Sequence, residues 1–520
     1  MSELLKTSFV WRLFAGLLAW LRGSILGRGF RKLGRLWRES GFYRFWKKIL
    51  CAEPLADQSA CERGLTRFNR FLYRGRGIAA LIRESCFGRI YRKLIDLLRG
   101  SFLLGWMFEG GTTTFLLFLI AAYSPVDWFL RDVLQLTTLA SVWDEALMIF
   151  CFLMIIFHRM EKPLRGRGNS VDVSLGFYIT AGLLLLLCTI SNLGVNITGF
   201  RASMQYILLF FLVTRLIRDD DDLMFMYRVM VMGAFLIALY GILQFVMGVE
   251  IPEHWTEQAE TSVRTRVFAI FSNPNIMGAY MVMFAPMAIG MAYSTDDAAT
   301  RVLYWIAGLS MCLACLFTMS RGAWMALAAG MVLFALIIDR KLLGLMLLAG
   351  IGACFLPFVR SRIGYLFTPD FVESNNRGGR GKRWGTAFSY LDKENSWDMG
   401  LGYGIYGGAV AAQNQINPEY EYMYVDNYYV KILVENGIAG LTAFLISMAG
   451  TLWGGFRACA RTSKTKGKPL CAGMLAGLVG ILLHSFFESI WEEPYMMALF
   501  FAIAGMIVYA GFLNRPEESR

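Results

Sequence analysis

Long apolar stretches are the feature that most constrains how this chain folds. A helix needs about 20 mainly apolar residues to cross a bilayer, and twelve stretches approach or exceed that length. They cover residues 102–122, 140–158, 173–190, 203–217, 225–247, 274–294, 301–319, 322–338, 342–359, 431–455, 471–489 and 494–514. Only 17% of the residues are charged, against about 25% in soluble domains. The sequence therefore predicts an all-α, polytopic transmembrane helix bundle of about 12 spans.

Positive charge is concentrated in the first 100 residues, which hold 21 Lys and Arg against 7 Asp and Glu. The remaining residues have a net charge of −2, although the whole chain has +12. After residue 100 the most basic short loops are 159–168, 339–341 and 457–468. Because cytoplasmic loops are enriched in Lys and Arg, both termini are predicted to be cytoplasmic. The long loops 249–273 and 360–430 are then extracytoplasmic.

Four regions follow from this pattern. Residues 1–100 are predicted to be a basic, cytoplasmic or interfacial repeat region, 101–359 to hold transmembrane helices 1–9, 360–430 to be the large extracytoplasmic loop, and 431–520 to hold helices 10–12. A loop as long as 360–430 is usually functional. Its Gly402-x-Gly404-x-x-Gly407 matches a dinucleotide fingerprint in form only, because no strand precedes it.

The N-terminal region contains an internal repeat, "RESGFYR" (38–44) and "RESCFGR" (83–89). Basic and bulky apolar residues alternate there at helical spacing, which predicts short amphipathic helices on an anionic cytoplasmic leaflet. A docking surface for partner proteins of an envelope-glycan pathway is an equally supported interpretation. Nucleic acid is not an expected partner, since the region has apolar faces and is attached to a membrane domain.

Arginines recur in the loops predicted to be outside, where short loops usually exclude them. They precede a span, occupy a turn between two spans, or lie in the large loop: Arg264, Arg266, Arg321, Arg377, Arg380 and Arg383, with Lys382 beside them. A guanidinium binds two phosphate oxygens at once and stays charged at neutral pH. The cluster therefore suits a lipid-linked diphosphate. The alternative is that these arginines only anchor helix ends at the membrane surface.

Four motifs, taken in order, resemble the O-antigen ligase/polymerase superfamily. "RVFAIFSNPNIMGAY" (266–280) is similar to the family's Arg-x-x-Gly-x-x-x-Asn-Pro-Asn-x-x-Ala segment, with Ala269 where Gly is usual. "SRGAW" (320–324) is similar to its Ser-Arg-Gly motif, and residues 383–407 resemble the Gly-rich portion of its large outer loop. The resemblance covers roughly residues 170–515.

The fourth motif is a spacing. The ligases carry His-(Asn/Ser/Gln), nine residues, then Gly-x-x-(Gly/Thr/Val). In this chain Asn427 is followed by nine residues and then by Gly437-Ile438-Ala439-Gly440, but Asp426 stands at the histidine position. Histidine titrates near pKa 6.5 and is a base at neutral pH, whereas aspartate titrates near 3.9. The substitution favours a polymerase-type or Gram-positive relative over a lipid A–core ligase.

The resemblance implies a glycosyltransferase that acts on an undecaprenyl-diphosphate-linked glycan at the outer face of a bacterial cytoplasmic membrane, inner or sole. An acceptor hydroxyl would attack the anomeric carbon, and the diphosphate would leave on its lipid. Asp426 is the expected catalytic residue. The expected diphosphate-binding residues are Arg266, Arg321, Arg377 and Arg383. Residues expected to shape the motifs are Asn273, Asn275, Asn427, Gly437 and Gly440. No cofactor or metal is expected, because the three histidines (His158, His254 and His484) are scattered.

Other interpretations remain open at this stage. The Asp426-Asn427 pair is also a common helix N-cap, and capping is compatible with catalysis. If Asp426 only caps, the base belongs among other outer-loop carboxylates: Asp392, Glu394, Asp398 or Glu421. The chain as a whole could instead be a transporter or flippase of a polar or anionic solute, or a cell-wall polymerase of the shape-and-division type. Duplicated halves, which are frequent in transporters, are not found in residues 170–515.

Overall fold

The structure is a computed structural model that describes residues 39, 60–161, 168–189, 192–250, 265–369, 371–373, 379–406, 408, 410–411, 425–462 and 466–513. These residues form helices and turns, with no strand among them. The predicted all-α class is confirmed. The first repeat copy (38–44), Arg264, His254, Arg377 and Glu421 lie outside the described residues, apart from Glu39.

Three short amphipathic helices come first, at Ala60–Tyr73 (α1), Arg76–Glu84 (α2) and Cys86–Arg99 (α3). The next helices are Thr112–Ala121 (α4), Tyr123–Trp128 (α5), Thr137–Ala140 (α6), Trp143–Glu161 (α7), Ser170–Cys188 (α8), Leu193–Met204 (α9), Leu208–Leu216 (α10) and Asp220–Met247 (α11). The second half contains Pro274–Ser294 (α12), Ala298–Phe317 (α13), Arg321–Ile337 (α14), Lys341–Cys354 (α15), Pro357–Tyr365 (α16), Arg380–Lys393 (α17), Tyr428–Arg461 (α18), Gly467–His484 (α19) and Pro494–Val508 (α20).

Eight helical segments of the described chain are long and apolar enough to cross a bilayer, and two sharply bent pairs raise the count to ten if each crosses as a unit. The bends are 83° after α4 and 87° after α15. The predicted figure of twelve would also require α7, whose ends carry charged residues, and α14, which is shorter. The chain is a multi-pass membrane protein, and the count of twelve spans stays a prediction.

The centre of the bundle is α12, which is buried along almost its whole length and packs on α13, α14 and α19. Small residues allow the close approach of α12 and α19. A Cβ at Gly473 would lie 2.6 Å from the Pro286 carbonyl oxygen, and one at Gly290 would lie 2.6 Å from that of Pro469. In lipid, helices associate through such tight packing more than through hydrophobic burial.

Contacts between loops divide the bundle into two ends. At one end Lys466 pairs with Asp296, Arg218 donates to the Gly110 carbonyl at 3.0 Å, and Arg83 pairs with Glu161 at 3.4 Å. Five of these six residues lie in segments predicted to be cytoplasmic, and Gly110 lies within the first predicted span. The loops predicted to be outside meet at the opposite end, where residues 266–275, 318–321, 362–365, 380–406, 425–427 and 484–493 contact one another. We call this the outer end.

The described part of the large loop is folded. Helix α17 packs on the first turns of α18 around a small apolar core formed by Ala387, Leu391, Tyr406, Val425, Val430 and Val434. This packing fixes the side chains of the first turn of α17 close to the N-terminus of α18.

Candidate functional site at the outer end

Three of the motifs are helix starts. Asn273 accepts from the Asn275 N–H at 2.7 Å and precedes Pro274, the first residue of α12. Ser320 caps α14 through the Ala323 N–H at 3.4 Å. Asn427 caps α18 by accepting from the N–H groups of residues 429 and 430 at 2.9 and 3.1 Å. The N-termini of α12, α14 and α18 therefore all lie at the outer end, and helix N-termini favour anions.

Arg266 connects the first two motifs and is buried, with 7% of its surface exposed. Its Nε donates to the Thr318 carbonyl at 3.0 Å, just before Ser320, and its Nη2 donates to Asn275 Oδ1 at 3.1 Å. Burial, together with nearby Arg321, lowers the pKa of Arg266 to about 10, although Glu488 opposes the shift. The guanidinium is still charged at neutral pH.

Glu488, in the turn between α19 and α20, is linked to Arg266 through Asn275. Asn275 Nδ2 donates to Glu488 Oε2 at 2.6 Å. The side chain is partly buried, and that burial, with the negative charge of Asp426 close by, raises the pKa of Glu488 to about 7. Arg380 and the hydrogen bond from Asn275 act in the opposite direction. A carboxyl group with this pKa is half ionised at neutral pH, which suits a general base.

Asp426 is paired with an arginine of α17. Arg383 Nη1 lies 2.7 Å from Asp426 Oδ2, and both side chains remain partly exposed. The neighbouring Trp384 donates its Nε1–H to the Val425 carbonyl at 2.9 Å, which fixes the start of α17 above the start of α18. Asp426 and Asn427 therefore have separate roles: Asn427 caps the helix, and Asp426 faces the arginines.

Two more arginines border the site, one at the start of α14 and one at the start of α17. Arg321 stacks over the rings of Tyr365 and Phe371 at 5.7 and 5.8 Å and donates to the Arg362 carbonyl at 3.4 Å. Arg380 Nη2 donates to the Phe487 carbonyl at 2.8 Å. Its buried Nε has no hydrogen-bond partner among the described residues.

The backbone is strained at one position in each of three motifs. Ala269, Met319 and Asp426 have φ values of 49°, 55° and 49°, a region that side chains other than Gly adopt rarely. Ala269 stands where the family usually has Gly, and buried Gln244 holds its turn by accepting the Ala269 N–H at 2.8 Å. Met319 accepts two hydrogen bonds from Arg362. Such strain persists where surrounding contacts fix it, frequently at functional sites.

Gly437 interrupts α18 with φ 64° and ψ −170°. The break exposes backbone groups, and the Gly-rich loop pairs with them: Leu401 N donates to the Val434 carbonyl at 2.8 Å, and Ile438 N to that of Trp397 at 2.8 Å. A Cβ on Gly437 would clash with the Asp398 carbonyl, and one on Gly440 with Asn436. The nine residues between Asn427 and Gly437 therefore set the distance between the capped N-terminus of α18 and the break where the Gly-rich loop pairs with the helix.

The glycines at 402 and 404 are also explained by packing. They have φ 111° and 69°, and they lie against Asn196 and Gly199 of α9. The two glycines therefore allow the loop to pack closely against the bundle.

The structure brings together Arg266, Arg321, Arg383, Asp426 and Asn275 at the outer end. It adds Glu488 and Arg362, which the sequence analysis did not name. The signal for Glu488 was present, because "ESIWEEP" (488–494) places one carboxylate at the outer end of the predicted span 471–489 and two more directly after it. Of the alternative bases, Asp392 accepts from Trp397 Nε1 at 2.8 Å and Glu394 is exposed.

Comparison with known families agrees with this geometry. Residues 306–445 match the family model described as O-Antigen ligase. The match includes Arg321, Arg383, Asp426 and Gly437, but not Arg266 or Glu488. No curated protein matches the chain.

The family match supports an enzyme of surface-polysaccharide ligation or polymerisation, a class that acts on lipid-linked glycans. Residues 306–445 are similar to the O-antigen ligase family, and the resemblance of this chain to the O-antigen ligase/polymerase superfamily is confirmed.

Proposed function

We propose that the chain transfers a glycan from undecaprenyl diphosphate to an acceptor hydroxyl, at the outer face of the bacterial cytoplasmic membrane. The observation that carries the proposal is the grouping of arginines from three chain segments around a pair of carboxylates, Asp426 and Glu488, beside three helix N-termini. The cationic groups suit a diphosphate, and the carboxylates suit an acceptor hydroxyl.

The arginines divide into two roles in this proposal. Arg321 and Arg383 are partly exposed and bind the diphosphate oxygens. Their fixed charges stabilise the negative charge that develops as the anomeric C–O bond breaks and its electron pair moves to the diphosphate. Arg266 is buried, so it acts through Asn275 and through its charge. Arg377 stays a proposed contributor from sequence alone.

Glu488 is the proposed general base. The acceptor oxygen forms its bond to the anomeric carbon as its proton passes to the Glu488 carboxylate. Asp426 is paired with Arg383, and it orients both the acceptor hydroxyl and the Arg383 guanidinium. This assignment changes the sequence-based expectation, in which Asp426 was itself the base, because Asp426 is held in an ion pair with Arg383. No step in the proposal uses a metal ion.

A reconstituted reaction tests the proposal. The purified full-length protein in liposomes is given undecaprenyl-diphosphate-linked oligosaccharide extracted from the cells that produce it. We expect release of undecaprenyl diphosphate together with a glycan of higher mass, measured by chromatography and mass spectrometry. If labelled oligosaccharide or a small anionic solute crosses the liposome membrane with no covalent change, the chain is a transporter and the proposal is wrong.

The orientation is tested separately. Cysteine introduced at Glu394, which is exposed at the outer end, should react with a membrane-impermeant thiol reagent in intact cells. Cysteine introduced at Ala299, exposed at the opposite end, should react only after the cells are opened. The reverse labelling would place the arginine site in the cytoplasm, where the proposed extracytoplasmic transfer could not occur.

A further inference from the structure

A groove lies at the end of the bundle opposite to the arginine site, between α1, α7 and α10. Its volume is about 500 Å³, and its walls are mainly apolar, with Leu72, Phe152 and Leu212 among the lining side chains. Ile149 and Phe152, on its rim, are more than half exposed. Because α7 and α10 are apolar helices of a membrane protein, this rim faces the hydrocarbon of the bilayer.

Polar groups occupy one end of the groove. Arg159 is in the last turn of α7, Arg215 is in the last turn of α10, and Asn69 of α1 is buried between them and the apolar wall. Arg215 Nη2 lies 3.2 Å from Asp172 Oδ1, so one carboxylate accompanies the two guanidinium groups. Both helix ends are predicted to be cytoplasmic, which places these arginines at the depth of lipid headgroups.

The helices beside the groove have the properties of a membrane-surface segment. Residues 60–99 hold ten Lys and Arg against three Asp and Glu, and bulky side chains such as Phe71, Phe87 and Leu97 are 66 to 85% exposed. The Arg83–Glu161 ion pair fixes α2 at the cytoplasmic end of α7. Exposed apolar residues and dense positive charge together favour a helix that lies in the interface of an anionic leaflet.

We propose that the groove binds an anionic phospholipid of the cytoplasmic leaflet. One acyl chain lies along the apolar walls, and the phosphate lies against Arg159 and Arg215, next to Asn69. The positive charge at the groove end favours an anionic headgroup over a zwitterionic one. Basic pockets between transmembrane helices on the cytoplasmic side are suited to such headgroups. The bound lipid would join α1 to the bundle, and the site is independent of the glycosyl-transfer proposal.

Native mass spectrometry of the full-length protein in mild detergent tests this site. Dioleoylphosphatidylglycerol should give one adduct that persists at low lipid concentration, and dioleoylphosphatidylcholine should bind more weakly. Removal of one basic contact by Arg159→Gln should weaken phosphatidylglycerol binding about fivefold. Ile149→Trp, which fills the groove from its exposed rim, should weaken the binding of both lipids. The matched control is Arg89→Gln, an exposed arginine of α3, which should leave the adduct unchanged.

Three results would overturn the inference. They are equal binding of the two lipids, an undiminished phosphatidylglycerol adduct in both Arg159→Gln and Ile149→Trp, or no lipid adduct on the unmodified protein. The last result would indicate that a segment of the chain itself fills the groove. Thermal unfolding of each variant without lipid checks that a loss of binding does not come from a loss of folded protein.

Discussion

Arg321→Ala is expected to lower glycan transfer by about 10²- to 10³-fold, the usual effect of removing one group that stabilises transition-state charge. Arg321 is partly exposed, and its guanidinium carbon lies 5.7 and 5.8 Å from the ring centroids of Tyr365 and Phe371. Arg321→Lys should recover little activity, because an ammonium group cannot bind two phosphate oxygens as a planar guanidinium does. The measurement is the rate of undecaprenyl diphosphate release in the reconstituted reaction.

The matched control is Arg360→Ala, on α16 near the same end of the bundle. Arg360 is exposed, so this variant removes one positive charge close to the site and should keep near-normal activity. Normal transfer by Arg321→Ala, at a normal protein level, would mean that Arg321 only anchors a helix end.

Arg266→Ala should also abolish transfer. That variant is a weaker test, because Arg266 is buried and joins two loops.

Most of the fold can be predicted from the sequence because a segment that crosses the bilayer must be a long apolar helix. Apolar stretches of span length had to become helices, and α12, α18 and α19 lie where those stretches predict. The bends were not predictable in the same way. The 87° break between α15 and α16 turns the last residues of the predicted stretch 342–359, from Pro357 onward, out of the span direction, since Leu356-Pro357 starts a new helix.

The candidate site was predictable where a motif is also a local structure. Asn273-Pro274, Ser320 and Asn427 are capping signals that can be seen in sequence, so the starts of α12, α14 and α18 follow from them. What could not be predicted is which side chains meet after packing. Asn275 bonds Glu488, 213 residues further along the chain, and no local spacing encodes that contact. The pairing of Arg383 with Asp426 is of the same kind.

Glu488→Gln is expected to lower the rate of transfer by about 10²- to 10⁴-fold, the range for loss of a general base. Glutamine keeps the size of the side chain and can still bond to Asn275, so the fold should be preserved. Glu394→Gln, at an exposed position of the outer loop, is the matched control and should leave the rate unchanged. Asp426→Asn should also lose activity, but by weakening the orientation of the acceptor hydroxyl, so raising the acceptor concentration should recover more of its rate.

The pH dependence of transfer separates the two carboxylates. A base must be deprotonated to accept the acceptor proton, and the pKa of Glu488 is raised to about 7 by burial and by the charge of Asp426. Only about a tenth of the molecules would carry the active carboxylate one pH unit below that value, and about nine tenths one unit above it. We therefore expect kcat/KM to rise with pH through neutrality and then level off. Asp426→Asn removes the negative charge that helps to raise the Glu488 pKa, so its midpoint should move to lower pH, whereas Glu488→Gln should lose the inflection altogether. A profile that is flat across neutrality in the unmodified enzyme would contradict Glu488 as the base and return that role to Asp426.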